Sequence, residues 1–213
     1  MTGDRPAPAM QGLYVIIDPQ VTVAKAALQG GARVLQLRDK LRDKGETLPL
    51  ARTLKDLCTE YGATLIINDH ADLASIVNAH GLHVGQGDLP VVEARKVLHS
   101  WQVIGRSNHS REELADSLAQ GADHVAFGSI YATSTKVSAD TSRPVGPEGL
   151  GAARKMTDLP LVAIGGINAE NIEAVMKAGA DAVCVTAAVG LAEDPEEAAR
   201  RLVRRIEEAG GRV

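Results

Sequence analysis

Gln36, Arg38 and Lys40 occupy every second position of the segment VLQLRDK. In extended chain alternate side chains point to the same side, so Val34, Gln36, Arg38 and Lys40 share one face and Leu35 and Leu37 the other. The leucines suit a layer packed against helices. The polar set then faces an interior, deepening from Lys40 at the rim to Gln36. Burying an arginine without a negative partner is costly. An internal salt bridge to a core carboxylate would meet that need. Two cations on one face favour a bound anion instead.

Further segments supply candidates of matching chemistry. IND brings Asn68 and Asp69, and HVGQGDL brings His83, Gln86 and Asp88. Two carboxylates beside two cations suit Mg²⁺, which takes one or two carboxylates plus phosphate oxygens and waters. Either aspartate alone is better explained as a helix N-cap, Asp69 before HADLASIV and Asp88 before the helix starting near Pro90, and the metal gains ground only for the two together. His83, standing alone, reads as a core histidine. GRSNHS offers Ser107 and His109. Ser107 has no base and aspartate arranged as a nucleophile triad. It reads as a phosphate contact or a cap. Ser110 followed by Glu113 fits a capping box.

The segment GSIYATSTKVSADTSRPVGPEGL is long and nearly free of apolar residues. Such stretches are lids, binding loops or disordered segments. This one carries Thr133, Thr135, Lys136 and Arg143. Downstream, the Gly165-Gly166 pair in AIGGIN lets a phosphate approach backbone N–H groups. The whole set suggests two anionic ligands, one larger and metal-bound, the other a monophosphate. No general acid or base dominates. That combination points to departure of pyrophosphate and capture by a second phosphorylated substrate, with Arg38, Lys40, Lys136 and Mg²⁺ stabilising the leaving charge.

Repeated β/α units must position these residues. A β-branched run, an amphipathic helix and a glycine recur along the chain. The junctions Gly31-Ala32, Gly62-Ala63, Gly121-Ala122 and Gly179-Ala180 place glycine where a helix C-cap needs a left-handed residue. They imply a unit of about 25 residues, a supersecondary period. Strict alternation means a parallel sheet covered by helices. Eight units fit a single-domain (β/α)8 TIM barrel over residues 12–213, with residues 1–11 as a disordered lead-in. An open doubly wound sheet usually has a glycine-rich turn after its first strand, and IIDPQ lacks one. In a barrel the C-terminal strand ends carry the chemistry, and the loops after strands seven and eight hold phosphate.

Composition narrows the function classes. The 213 residues are 45% hydrophobic, 23% charged and only 2% aromatic, with a net charge of −4. The core must therefore come from Val, Ile, Leu and Ala. Aromatic platforms for stacking bases are missing, and no basic run offers a polyanion footprint, so nucleic acid is not a partner. No stretch approaches a membrane span and the N-terminus has no signal-peptide core. Cys58 and Cys184 read as reduced core thiols, which fits a cytoplasmic protein.

The motifs QLRDK, IND, HVGQGDL, GRSNHS, YATSTK, VGPEGL and AIGGI, in this order from about Leu13 to the last helix, resemble the thiamine-phosphate synthase family. The resemblance implies a (β/α)8 barrel joining 4-amino-2-methyl-5-hydroxymethylpyrimidine diphosphate to thiazole phosphate, or its carboxylated form, with release of pyrophosphate. It assigns the pyrimidine diphosphate to Gln36, Arg38, Lys40, Asn68, Ser107 and Lys136, with Arg38 and Lys136 catalytic. It assigns Mg²⁺ to Asp69 and Asp88. Thiazole phosphate falls to Thr133, Ser134, Thr135, Gly166, Thr186 and Ala187. The implied mechanism is dissociative, which accounts for the missing general base. Family members often have prolines where Ser129 and Ala132 stand, a serine at Ala187 and an acidic residue at His80. Loss of the prolines should loosen the loop, and Ala187 leaves only backbone donors. A homo-oligomer is compatible with all of this. The related thiazole tautomerase would not need the diphosphate and metal groups. A non-catalytic phosphate-binding barrel would not need the intact strand-two triplet.

Overall fold

The computed structural model describes residues 10–133 and 144–213. Eight strands run β1 (Gly12–Ile17), β2 (Val34–Leu37), β3 (Thr64–Asn68), β4 (Gly81–Val84), β5 (Val103–Asn108), β6 (His124–Phe127), β7 (Leu161–Ile164) and β8 (Ala182–Val185). All neighbours pair in parallel, and β8 returns to β1, closing the barrel. The helices are α1 (Val21–Gln29), α2 (Lys44–Glu60), α3 (Ala71–Ile76), α4 (Val91–Ala94), α5 (Arg111–Ala119), α6 (Gly146–Arg154), α7 (Ile172–Lys177), α8 (Ala187–Gly190) and α9 (Pro195–Glu208). The expected (β/α)8 TIM barrel is the observed one. Among the described residues no helix is long and apolar enough to cross a membrane.

Alternation along the strands divides the apolar residues into two cores. Leu13, Val15, Ile17, Leu35, Leu37, Leu65 and Ile67 face outward and pack beneath the helices. Tyr14, Ile16, Val34, Ile66, Val103, Ala126, Val162, Ala182 and Cys184 fill the barrel. Met10, within the expected lead-in, is buried against that inner cluster. Residues 1–9 lie outside the described residues. The expected junction glycines adopt the left-handed region, Gly31, Gly62, Gly121 and Gly179 having φ of 98, 63, 77 and 99°.

Helix α2 begins at Lys44 and contains Pro49, although proline usually marks a helix start. Asp39 and Asp43 account for the earlier beginning. The Asp43 carbonyl accepts from Glu46 and Thr47 N–H at 3.0 Å each, and Thr47 Oγ1 donates to Asp39 Oδ2 at 3.1 Å. Tying down this first turn offsets the hydrogen bond that Pro49 cannot make. At α5, Ser110 caps as expected, accepting from Glu113 N–H at 3.2 Å. The reciprocal arm of the box lands one residue early, Glu113 Oε2 accepting from His109 N–H at 2.6 Å.

Candidate active site

Gln36, Arg38 and Lys40 stand at successive depths along the exit of β2. Gln36 is buried, and its Nε2 donates to Tyr14 Oη at 2.6 Å. Burial, helped by Cys184, raises the Tyr14 phenol well above its ordinary value, so Tyr14 stays protonated despite the opposing effect of Gln36. Arg38 reaches the wall of a cavity at the mouth of the barrel. Among the described residues it has no carboxylate partner, so the internal salt bridge weighed above is not made there. Lys40 does have one: its Nζ pairs with Asp69 Oδ2 at the rim.

Asp39 makes the turn that brings Lys40 round. Its Oδ1 accepts from Leu41 and Arg42 N–H, each at 3.1 Å. Burial alone would raise this carboxyl, yet the two N–H groups, Thr47 and Arg42 together hold it below its ordinary value. The alternation rule places Asp39 on the outer side, where it shapes the loop and leaves the ligand face to its neighbours.

Neither candidate metal ligand caps a helix. Helix α3 starts from His70 and α4 from Pro90, both without a side-chain cap. Asp69 N–H donates to the His83 carbonyl at 2.8 Å, which fixes it at the β3–β4 rim. Asp88 Oδ2 accepts from Gly85 N–H at 2.8 Å, directly after β4. The two carboxylates thus rise from adjacent strands on the same end of the barrel. Two carboxylates at one rim are hard oxygen donors of the kind Mg²⁺ takes, completed by phosphate and water. The Lys40 ammonium occupies the Asp69 oxygen that such an ion would share.

The cavity has a volume of about 260 Å³ and opens between β1, β2 and β5–β8. Of the candidates from sequence, it brings together Arg38, Ser107, His109, Thr133, Gly165, Gly166, Thr186 and Ala187. Ile16, Ile164 and Cys184 form an apolar floor. Gln36, Lys40, Asn68, Asp69 and Asp88 do not line it. Gln36 lies beneath the mouth, Asn68 ends β3 beside His83, and the others stand at the rim. Ser134, Thr135, Lys136 and Arg143 lie outside the described residues.

The glycine pair is required by the shape of the wall. Gly165 and Gly166 have φ of 104 and 64°. A Cβ on Gly165 would stand 2.0 Å from Ser129 Oγ, and one on Gly166 would stand 2.5 Å from the Ala132 carbonyl. Ser129 Oγ donates to the Tyr131 carbonyl at 2.9 Å. Tyr131 N–H donates to the Gly165 carbonyl at 2.9 Å, fastening the start of the long loop to the glycine turn. Its far end is fastened too, Val145 N–H donating to the Ser129 carbonyl at 2.9 Å.

Gln86 and Arg106 brace the opposite side. Gln86 Nε2 donates to the Ser107 carbonyl at 2.7 Å, and Arg106 Nη2 donates to Gln86 Oε1 at 2.8 Å. Arg106 Nη1 is held by Asp116 Oδ2 at 2.6 Å. Asp18 also lines the cavity, as does Ser129, which the sequence marks only as a departure from a family proline. The signal for Asp18 was available, because it is the first residue after β1.

A closed parallel barrel whose cavity sits at the strand ends, with cation, hydroxyls and a glycine turn in its wall, defines a (β/α)8-barrel enzyme. The family model described as thiamine monophosphate synthase matches residues 13–189. A thiamine-phosphate synthase of Moorella thermoacetica is 42% identical over 207 residues, covering 94% of this chain and 98% of the relative. One of Thermosynechococcus vestitus is 43% identical over 91% of this chain, which spans 55% of that longer relative. The solved thiamine phosphate pyrophosphorylase from Pyrococcus furiosus superposes with a TM-score of 0.89 at 34% identity, covering 97% of this chain and 100% of that one. The chain belongs to the thiamine monophosphate synthase family. It is a transferase of thiamine biosynthesis that acts on phosphorylated small molecules.

Proposed function

We propose that the protein condenses 4-amino-2-methyl-5-hydroxymethylpyrimidine diphosphate with 4-methyl-5-(2-phosphoethyl)thiazole, giving thiamine phosphate and pyrophosphate. One observation carries the reading. A single cavity has a guanidinium without a carboxylate partner among the described residues on one side and a glycine turn on the other. Two anions can be held there at once. Arg38 and Ser107, with Lys40 above, face the diphosphate. Gly166, Thr186 and Thr133 face the monophosphate, with backbone donors only at Ala187.

The bond between the pyrimidine methylene carbon and the diphosphate oxygen breaks, and its electron pair leaves with pyrophosphate. The thiazole nitrogen then supplies the pair for the new C–N bond. Arg38 stabilises charge growing on the leaving oxygen, and the apolar floor of Ile16 and Ile164 excludes water from the electron-poor methylene. Mg²⁺, held by Asp69 and Asp88, would add positive charge against the diphosphate. The same assignment puts Asn68, Gln36 and Lys136 on the pyrimidine diphosphate and Ser134 and Thr135 on the monophosphate.

The test is direct. Purified protein with both substrates and Mg²⁺ should release pyrophosphate and thiamine phosphate in equal amounts, and either substrate alone should release neither. Chelation should stop the reaction and added Mg²⁺ restore it. Binding of thiazole phosphate without any product would leave a ligand-binding barrel, and isomerisation of a thiazole carboxylate phosphate would make it a tautomerase.

A further inference from the structure

Beneath Ser107 the barrel interior holds two buried histidines, His83 and His124, that the proposed chemistry leaves unused. Ser107, in the cavity wall, has its Oγ 2.8 Å from Nε2 of His83. His83 is buried on β4, and its ring centroid lies 5.9 Å from that of His124 on β6, the planes tilted by 35°. The register explains the meeting. His83 pairs with Gly105 on β5, and Gly105 pairs with His124. Ser107 lies two residues beyond Gly105 and so faces the same interior. A Cβ on Gly105 would stand 1.9 Å from Nε2 of His124, so the glycine leaves its space to that ring.

Burial first, and His83 second, push His124 down to about 3, so it is neutral at working pH. The pair beneath Ser107 therefore carries no charge from His124. What it can impose on Ser107 is direction. A serine hydroxyl has one proton and two acceptor lone pairs. If Ser107 spent its proton on His83, only lone pairs would face the cavity, and an anion there would be repelled. If His83 donates from Nε2, the Ser107 proton is left for the ligand. The backbone of Ser107 is already fixed by Gln86, so only the hydroxyl rotor needs setting.

We propose that His83 is a positioning residue for the transfer reaction, donating from Nε2 to Ser107 so that the Ser107 hydroxyl points its proton at the diphosphate. The proposal rests on the reading of Ser107 as a diphosphate contact. It assigns His83 a role through Ser107 alone, and that makes it separable from a packing role.

Steady-state kinetics of the wild type, Ser107→Ala, His83→Leu and the double variant test it. Each single change should lower kcat by roughly tenfold or more, the worth of a hydrogen bond to a charged group. KM for thiazole phosphate should stay the same. The double variant should be no slower than Ser107→Ala. His83→Gln, whose amide reaches Ser107, should recover most of kcat, whereas the shorter His83→Asn should not. Multiplying losses in the double variant, or equal rates for the Gln and Asn variants, overturns the proposal. If His83→Leu does not fold, the Gln and Asn pair decides. A wild type that makes no thiamine phosphate overturns the synthase reading and this proposal together; an active wild type with additive variants overturns the proposal alone.

Discussion

Lys40 and Asp69 form an ion pair across the mouths of β2 and β3, joining residues 29 positions apart in sequence. In the proposed reaction this is the rim where Mg²⁺ and the diphosphate would be held. Its lysine side chain is 50% exposed, so its contribution to stability is small. Asp69 adopts a φ of 61°, which asparagine and aspartate tolerate better than alanine.

Asp69→Asn separates charge from structure at this position. It keeps the backbone conformation and removes the carboxylate. Turnover should fall on the order of a hundredfold, the scale of a lost electrostatic contact to a transition state. The melting temperature should move by no more than about 3 °C. Asp69→Ala should melt lower still, by roughly a further 1 kcal/mol of backbone cost. Turnover and thermal melts on the same preparations check this. An Asp69→Asn protein that melts early yet turns over normally would make the pair structural.

The two cysteines should be silent in the native state. Burial pushes the Cys58 thiol up to about 12 and raises Cys184 as well. Thiolate is the reactive form, so at pH 8 a group at that value is ionised to the order of one part in ten thousand. A disulfide reagent should label neither residue in buffer and both of them in guanidinium. Fast labelling of Cys184 in buffer would mean that the cavity floor opens, since Cys184 forms part of it.

Asp39 gives the fold a dependence on acid. Its folded value lies below the ordinary one, so its contribution is fully present above the unfolded value, about 3.9, and is lost as pH falls through the folded value. At neutral pH Asp39→Asn should cost about 1–2 kcal/mol, the worth of a carboxylate that caps two N–H groups. That gap should narrow from about pH 5 downward. Denaturant titrations of both proteins at several pH values measure it. A gap that does not change with pH would remove the charge from the explanation.

The barrel was legible because its signals are local and repeated. The glycine junctions and the alternation at Gln36 and Arg38 need no knowledge of distant residues. The cavity wall was partly legible, because the rule that strand ends carry chemistry picks out Ser107 and Gly166, while Thr186 came only with the family resemblance. It was less legible where a contact joins remote positions. That Lys40 meets Asp69 and that Gln36 meets Tyr14 depends on register between strands. Asp39 sits inside the most informative motif and was passed over, because alternation sent it outward. The start of α2 is hard to read for a related reason: Pro49 sits inside the helix, and the first turn before it is tied down by Asp39 and Asp43. The need for glycine at position 105 is likewise set from afar, by His124, 19 residues on, which fills its space.

Gly165 offers the most severe single change in the cavity wall. Its φ of 104° is hard for any side chain to adopt. An added Cβ would also stand 2.0 Å from Ser129 Oγ and 2.7 Å from Ser129 Cα. The second distance involves backbone, so no rotamer change relieves it. Gly165→Ala should therefore lose more than about 2 kcal/mol. If it folds, the glycine turn must shift, and KM for thiazole phosphate should rise well above any change in KM for the diphosphate substrate. Adding Ser129→Gly removes the clashes with Oγ and with Cβ, the latter at 2.8 Å, and leaves the Cα clash and the φ penalty. The double variant should accordingly regain part of the lost stability, but not all of it. Thermal melts give the stability arm and the two KM values give the binding arm. Full recovery in the double variant would show that the Ser129 side chain alone sets the constraint; an unchanged melt and unchanged KM in Gly165→Ala would show that the turn has room that its geometry denies.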